Sequence, residues 1–302
     1  MEYILTTENL TKAYGNFKAA DQINIHIKKG EVYGLIGRNG AGKTTILKMI
    51  CGLSTPTSGS FTFMGKSGAD LLKCRNKIGS LIETPGLFPK MTAFQNVKLK
   101  CLSLGINDDK YVNSLLEQVG LEGVGKKLAQ SFSLGMKQRL GIALALVGNP
   151  EFVVLDEPIN GLDPQGIAEM RQIIHRLSKE MGMTVIVSSH ILDELVKVAD
   201  SFAIINGGKL LDEFTTEDLI KRCSTYGYLK TSSSEKAQEI LTSMNVNEFE
   251  VLDEQTIKIS SVIEDSSKVI EKLVKSDIAV YEFAYKKMTL EEYYLNSTGR
   301  NV

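Results

Sequence analysis

The chain is poor in the residues that build metal or disulfide frameworks. Its four cysteines, Cys51, Cys74, Cys101 and Cys223, are widely separated and form no C-x-x-C pair. They read as reduced thiols of a cytoplasmic protein, which excludes a disulfide frame. The three histidines, His26, His175 and His190, make no zinc-like cluster. Neither sign of charge is in excess, and a net charge of −1 over 302 residues argues against bulk nucleic-acid binding, which needs a strongly basic face. No apolar run approaches the roughly 20 residues that span a bilayer. The longest candidates, such as Ile142-Ala143-Leu144-Ala145-Leu146-Val147, have the length of a helix core. The opening Met1-Glu2-Tyr3-Ile4-Leu5 lacks the basic region and long apolar core of a signal peptide. Any membrane role is therefore expected to run through a partner chain. Internal repeats and low-complexity tracts are also missing.

What is present is the balance of an ordinary globular protein, 43% apolar and 24% charged, with length enough for two domains. Within it, Gly37-Arg38-Asn39-Gly40-Ala41-Gly42-Lys43-Thr44-Thr45 fits the phosphate-loop pattern G-x-x-x-x-G-K-[ST]. Val32–Ile36 before it reads as a buried strand, and Ile46–Ile50 after it as the first turns of a helix. In that setting the glycines let backbone N–H groups turn inward around phosphates, and the helix N-terminus adds partial positive charge. Lys43 is expected to reach the β- and γ-phosphates, and the Thr44 hydroxyl to bind Mg²⁺. The competing reading, a Gly-rich turn with a surface lysine, does not account for the matching flanks. A nucleoside triphosphate is the expected ligand.

Along the rest of the chain, residues from about 3 to 35 alternate apolar and polar, as in Gln22-Ile23-Asn24-Ile25-His26-Ile27, which predicts antiparallel strands. His26 falls on the polar side and reads as a solvated strand histidine. Residues from about 86 to 150 look mainly helical. From about 151 to 212, short β runs (Phe152–Leu155 and Thr184–Val187) alternate with a helix, the order of a parallel α/β sheet. The texture then changes near residue 220. Strands at 226–231, 248–252, 256–259 and near 280–283, with helices at 235–244 and 266–275, give the order β-α-β-β-α-β of a ferredoxin-like domain. A last short helix is expected at Thr289, where Thr289 and Glu292 spell a capping box.

The run Phe152-Val153-Val154-Leu155-Asp156-Glu157-Pro158 ends four apolar strand residues in two acids. That places both carboxylates at the strand's C-terminal edge beside the phosphate loop. Asp156 is expected in the Mg²⁺ hydration shell, and Glu157 is then placed to polarise the attacking water. The alternative is a strand that ends in a solvated acidic turn.

With these residues in view, the segment from about 3 to 215 resembles the ATPase subunit of an ABC transporter. Phe132-Ser133-Leu134-Gly135-Met136-Lys137-Gln138-Arg139 resembles that family's LSGGQ signature, departing at Leu134, where glycine is usual, and at Met136, where glutamine is usual. Ser133 and Gly135 keep the hydroxyl and bare backbone that open a helix toward a γ-phosphate. The resemblance further implies that Asn160-Gly161-Leu162-Asp163 is a dimer-contacting loop and that Ile159 replaces the commoner threonine or serine. It also implies that His190 senses γ-phosphate and that Tyr14 stacks on adenine. A structural histidine and a core or turn tyrosine are the alternatives. Glu83 stands where the family has glutamine in the loop leading to the helical subdomain. It is expected either at the metal or in coupling to a partner, with coupling preferred. Together with the signature variant and the short tail, it resembles the bacitracin-resistance and lantibiotic-immunity subgroup.

The fold implied is an α/β phosphate-loop cassette over residues 1–220, with a mixed sheet core, an antiparallel β subdomain and a helical subdomain at about 86–150. A small α+β ferredoxin-like domain of regulatory or dimerising role would follow at 221–302. The function implied is ATP hydrolysis, with Lys43, Glu157 and His190 catalytic, that powers a separate polytopic permease at the cytoplasmic face of the membrane. Two cassettes would dock as a head-to-tail homodimer, and no nucleic acid is expected. A soluble ATPase acting on nucleic acid or ribosomes, and a nucleotide-sensing module without turnover, remain as alternatives. The first lacks its usual coiled-coil insertion, zinc module or second cassette here; intact Glu157 and His190 argue against the second.

Overall fold

In the computed structural model, residues 2–222, 225–260, 266–287 and 292–293 are described. The chain divides into two compact units, Met1–Thr216 and Glu217–Val302.

The first unit opens with β1 (Tyr3–Tyr14), β2 (Phe17–Ile23), β3 (His26–Lys28) and β4 (Val32–Ile36), then α1 (Lys43–Ile50), β5 (Ser58–Phe63) and β6 (Ile78–Leu81). β1 is the template of an antiparallel sheet: its far half pairs with β2, its near half with β3, and β5 lies along its other edge. The alternation over 22–27 is therefore not one strand. Gln22 turns to a left-handed φ of 54°, and the Asn24 side-chain oxygen accepts the Asn9 N–H at 2.7 Å, so the chain changes partners at a corner. His26 is also more than a solvated strand residue. Its Nδ1 lies 2.9 Å from Glu213 Oε2, and the other oxygen of that carboxylate accepts the buried Tyr33 hydroxyl at 2.6 Å.

The helical segment follows as α2 (Ala93–Ser103), α3 (Asp109–Gln118) and α4 (Leu134–Leu146). Each has an N-cap side chain that satisfies an otherwise orphaned backbone donor: Thr92 in a capping box with Gln95, Asp108, and Ser133. β7 (Phe152–Asp156), α5 (Pro164–His175), β8 (Thr184–Ser189), α6 (Leu192–Val196), β9 (Ser201–Asn206) and β10 (Lys209–Thr215) complete the unit. A six-stranded sheet runs in the order β10-β9-β4-β8-β7-β6, parallel except for β10. Its central strands are buried from end to end, as expected when both faces of a parallel sheet are covered. One core holds the two sheets together: Leu5, Ile25 and Phe63 of the antiparallel sheet, Ile46 and Leu47 of α1, and Phe152 and Ile186 of the parallel sheet belong to the same buried cluster.

The second unit contains α7 (Thr216–Arg222, which starts on the last residue of the first unit), β11 (Thr225–Thr231), α8 (Ser234–Ser243), β12 (Phe249–Val251), β13 (Thr256–Ile259), α9 (Ser266–Lys275) and β14 (Val280–Lys287). Its sheet is antiparallel throughout, in the order β12-β13-β11-β14. Leu229, Ile257 and Ile259 on one sheet face pack with Ala237 and Leu241 of α8 and with Val269 and Leu273 of α9, a core of their own. Cys223 and the expected helix start at Thr289 lie outside the described residues; Glu292 and Tyr293 are helical. Cys51, Cys74 and Cys101 are free and buried, and burial pushes the Cys51 thiol up to about 12, so it stays protonated at neutral pH.

Candidate functional site

Three neighbouring strands end together. The register pairs Ile36 of β4 with Ser189 of β8, and Asp156 of β7 with Ser188 of β8, so the chain segments leaving them share one edge of the sheet. In open α/β sheets that C-terminal edge is where ligands sit.

The loop from Gly37 to Gly42 leaves β4 and feeds α1. Gly42 takes φ 110°, and a Cβ there would lie 2.2 Å from the Ala19 carbonyl oxygen, so β2 presses directly on the loop. Lys43, only 5% exposed, is the first residue of α1. Its ammonium donates to the Gly37 carbonyl at 2.6 Å and lies 3.0 Å from Glu157 Oε1. The next residue, Thr44, donates its hydroxyl to Asp156 Oδ2 at 2.8 Å. Asp156, 3% exposed, takes a second hydrogen bond on Oδ1 from the Ser188 hydroxyl at 2.5 Å. Buried carboxylates need such partners, and Asp156 has one on each oxygen.

Glu157 is held differently. Its backbone is left-handed at φ 50°, a conformation that costs a non-glycine residue on the order of 1–3 kcal/mol. The N–H is anchored to Ser188, at 2.9 Å from Oγ and 3.2 Å from the carbonyl. Its Oε2 meets His190 Nδ1 at 2.8 Å. Oε1 is buried and has Lys43 as a charge partner, yet it makes no hydrogen bond. The Lys43 ammonium thus offsets the charge on Oε1 without donating a hydrogen bond to it. The result is a strained carboxylate with one acceptor position still open.

Lys43, Thr44, Asp156, Glu157 and His190 thus form one connected cluster, although the sequence spreads them over nearly 150 positions. Gly37 to Thr45 supply its floor. Ser133 and Gly135 are elsewhere. They line an open groove with Leu134, Gly161, Leu162 and Asp163, and no phosphate-loop residue borders it. Ser133 caps α4 by accepting the Met136 N–H at 3.3 Å, and Asp163 caps α5 by accepting from Gly166 at 2.9 Å, so two helix N-termini open on this groove. Tyr14 is 57% exposed near the β1–β2 turn, with the Lys12 ammonium 5.2 Å from its ring centre. Glu83 lies just beyond β6 with φ 61°, and its Oε1 accepts from Lys48 at 2.6 Å, which raises the lysine's pKa.

Sequence reasoning missed Ser188 and Lys48. A hydroxyl that closes an all-apolar strand was the available signal for Ser188. Nothing local marked Lys48, which reads as an ordinary exposed helix lysine.

Among the described residues no helix is long and apolar enough to cross a membrane. Residues 20–160 match the ABC transporter family. The chain is 40% identical to the bacitracin transport ATP-binding protein BcrA of Bacillus licheniformis, over 99% of this chain and 98% of that one. It is 46% identical to the lantibiotic transport ATP-binding protein SrtF of Streptococcus pyogenes, over 70% of this chain and 90% of that one. Its fold resembles the ATP-binding cassette MJ0796, solved as a dimer in a post-hydrolysis state bound to ADP and Pi, with a TM-score of 0.63 and 28% identity over 70% of this chain and 98% of that one. A phosphate loop, two strand-end acids and a histidine on a cassette sheet, within a chain matched along nearly its whole length, place this protein in the ABC transporter ATP-binding family, whose cassettes hydrolyse ATP to power transport.

Proposed function

We propose that this chain powers a separate polytopic membrane permease which exports or removes an antimicrobial peptide of the bacitracin or lantibiotic type. The observation that carries the substrate class is the extent of the match to BcrA: it runs through both units, whereas the match to SrtF covers 70% of this chain. The site supports turnover rather than sensing alone. Glu157 offers a buried, unbonded carboxylate oxygen as the acceptor for a water's proton, and His190 fixes the other oxygen.

The remaining roles are read as follows. The loop N–H groups, the α1 N-terminus and Lys43 bind the β- and γ-phosphates. In that complex Lys43 exchanges its contact with Glu157 for phosphate oxygens, which frees the carboxylate for water. Thr44 and Asp156 would hold Mg²⁺; a hydroxyl beside a single carboxylate suits a hard ion that keeps several of its own waters. When bound, the ion neutralises charge between the phosphates. Tyr14 stacks on the base. Ser133 and Gly135 serve the nucleotide of a second copy of the chain, which accounts for their groove being separate from Lys43. The dimer is then head to tail, with two composite sites related by two-fold symmetry. The complex sits on the cytoplasmic face of the membrane through its permease.

A strain that lacks this chain should become more sensitive to bacitracin or a lantibiotic, and the purified chain should hydrolyse ATP and co-purify with a multi-helix membrane protein. Unchanged sensitivity to both peptide classes would overturn the substrate class. Absence of turnover in the assembled complex would overturn the catalytic reading.

The second unit, with its β-α-β-β-α-β order and antiparallel sheet, supports the reading of a ferredoxin-like regulatory or dimerising domain beginning near residue 217–221. A chain stopped after Thr216 should bind ATP within about two-fold of full length, since every nucleotide ligand named above precedes it. Its dimerisation or transport should change. Truncated protein that melts cooperatively but fails to bind ATP in equilibrium titration would show that this division of labour is wrong.

A further inference from the structure

Lys48 has no part in the roles above, yet it makes one of the shortest charged contacts of the first unit. Its Nζ lies 2.6 Å from Glu83 Oε1, and the two side chains are 35% and 61% exposed. Lys48 is four residues after Thr44 on α1, so the two side chains stack on one helix face about one turn apart. Thr44 holds Asp156 on that same face, and Asp156 contributes to the raised pKa of Lys48. Glu83, for its part, leaves β6 at the edge of the six-stranded sheet in a left-handed conformation that a glutamate adopts only under constraint. The ion pair therefore joins the loop after the edge strand to the helix that carries the phosphate-binding lysine.

We propose that Lys48 is a positioning residue that clamps the Glu83 carboxylate on the flank of α1, one turn below Thr44, and keeps it from swinging up to the triphosphate. This rests on the functional reading above, in that it takes Lys43, Thr44 and Asp156 as the nucleotide site. Glu83 and Asp156 both act on the Lys48 ammonium, so a carboxylate released from it has the cluster at Thr44 and Asp156 as its neighbour. There it adds a negative charge next to an already anionic ligand, where effective screening is weaker than at the surface. Clamped, it is compensated and held outward, and the loop after β6 follows α1.

The clamp differs from simple charge compensation in one measurable way. If Lys48 and Glu83 act as fixed, independent charges, losing the lysine weakens ATP binding by the same factor whether position 83 is Glu or Gln. If Lys48 positions Glu83, the loss is large only when there is a carboxylate to release. The test is equilibrium ATP binding to the full-length chain in EDTA at low salt, for wild type, Lys48→Met, Glu83→Gln and the double variant. Lys48→Met is expected to weaken ATP by about ten-fold in the Glu83 chain and by about two-fold or less in the Glu83→Gln chain, because no anion remains to be misplaced. Lys48→Arg, which keeps the pair, should stay near wild type, and the coupling should shrink at high ionic strength as an exposed pair is screened. Equal factors in the two backgrounds would overturn the proposal, as would a Lys48→Arg chain as weak as Lys48→Met. A general folding defect from Lys48→Met would also appear equally in both backgrounds and so counts against it. The readout is binding, so a failure to hydrolyse ATP would sink the functional reading without touching this cycle.

Discussion

Glu157→Gln is expected to leave ATP affinity within about two-fold of wild type and to lower turnover by about 10²–10³-fold, the loss typical of removing one electrostatic group from a transition state. The amide is the same size and keeps the backbone anchor to Ser188 as well as a side-chain contact with His190. What it loses is the negative charge, which in the proposed mechanism draws a proton from water. Lys43 keeps its bond to the Gly37 carbonyl and Thr44 its bond to Asp156, so the phosphates should still be bound. With the site completed by a second copy, as proposed above, blocked hydrolysis should trap the closed pair. The variant should elute from size exclusion as a dimer with ATP and as a monomer without it. Near-normal hydrolysis, or a monomer under both conditions, would remove Glu157 from the catalytic role.

A second large effect is expected at Gly42. Alanine there would combine two costs. The backbone at φ 110° lies outside the region open to L side chains, and the new Cβ would sit 2.2 Å from the Ala19 carbonyl oxygen. That oxygen belongs to the backbone of a paired strand and cannot swing aside as a side-chain tip can. Gly42→Ala should therefore lower stability by about 3 kcal/mol or more, or prevent soluble folding, and abolish ATP binding. Gly40→Ala is the internal comparison: its φ of 81° is also positive, but nothing lies within 4 Å of the added carbon. Its cost in thermal unfolding should be about 1 kcal/mol, that of the dihedral alone. Equal melting temperatures for the two variants would show that the contact with β2 does not constrain the loop.

The placement of the candidate site's residues at loop and strand ends was legible in the sequence because each of its parts is local. A glycine-rich turn between an apolar strand and a helix start fixes where Lys43 and Thr44 stand. An apolar run that ends in Asp156 and Glu157 puts two acids at a strand end whatever the rest of the chain does. Periodicity likewise placed the helix at Ser266–Lys275 and the order of elements in the second unit. The corner at Asn24 was not legible, because alternation continues unbroken through residues that belong to two strands. Nor was Ser188: its link to Asp156 exists because β7 and β8 lie side by side in parallel register, and register is a property of strands that meet, not of either strand alone.

By itself, then, the sequence determined which chemistry the chain carries, since phosphate loop, acids and histidine are each written in a few adjacent residues. Only the tertiary structure decided who holds whom. Lys43 rests on Glu157, Glu83 on Lys48, and the Gly42 backbone on Ala19. It also decided that Ser133 and Gly135 open on a groove apart from the phosphate loop. The physical reason is range. Dihedral preferences and side-chain periods act over a few residues, whereas these contacts join segments 23 to 114 positions apart and exist only once the sheet order has brought their elements together.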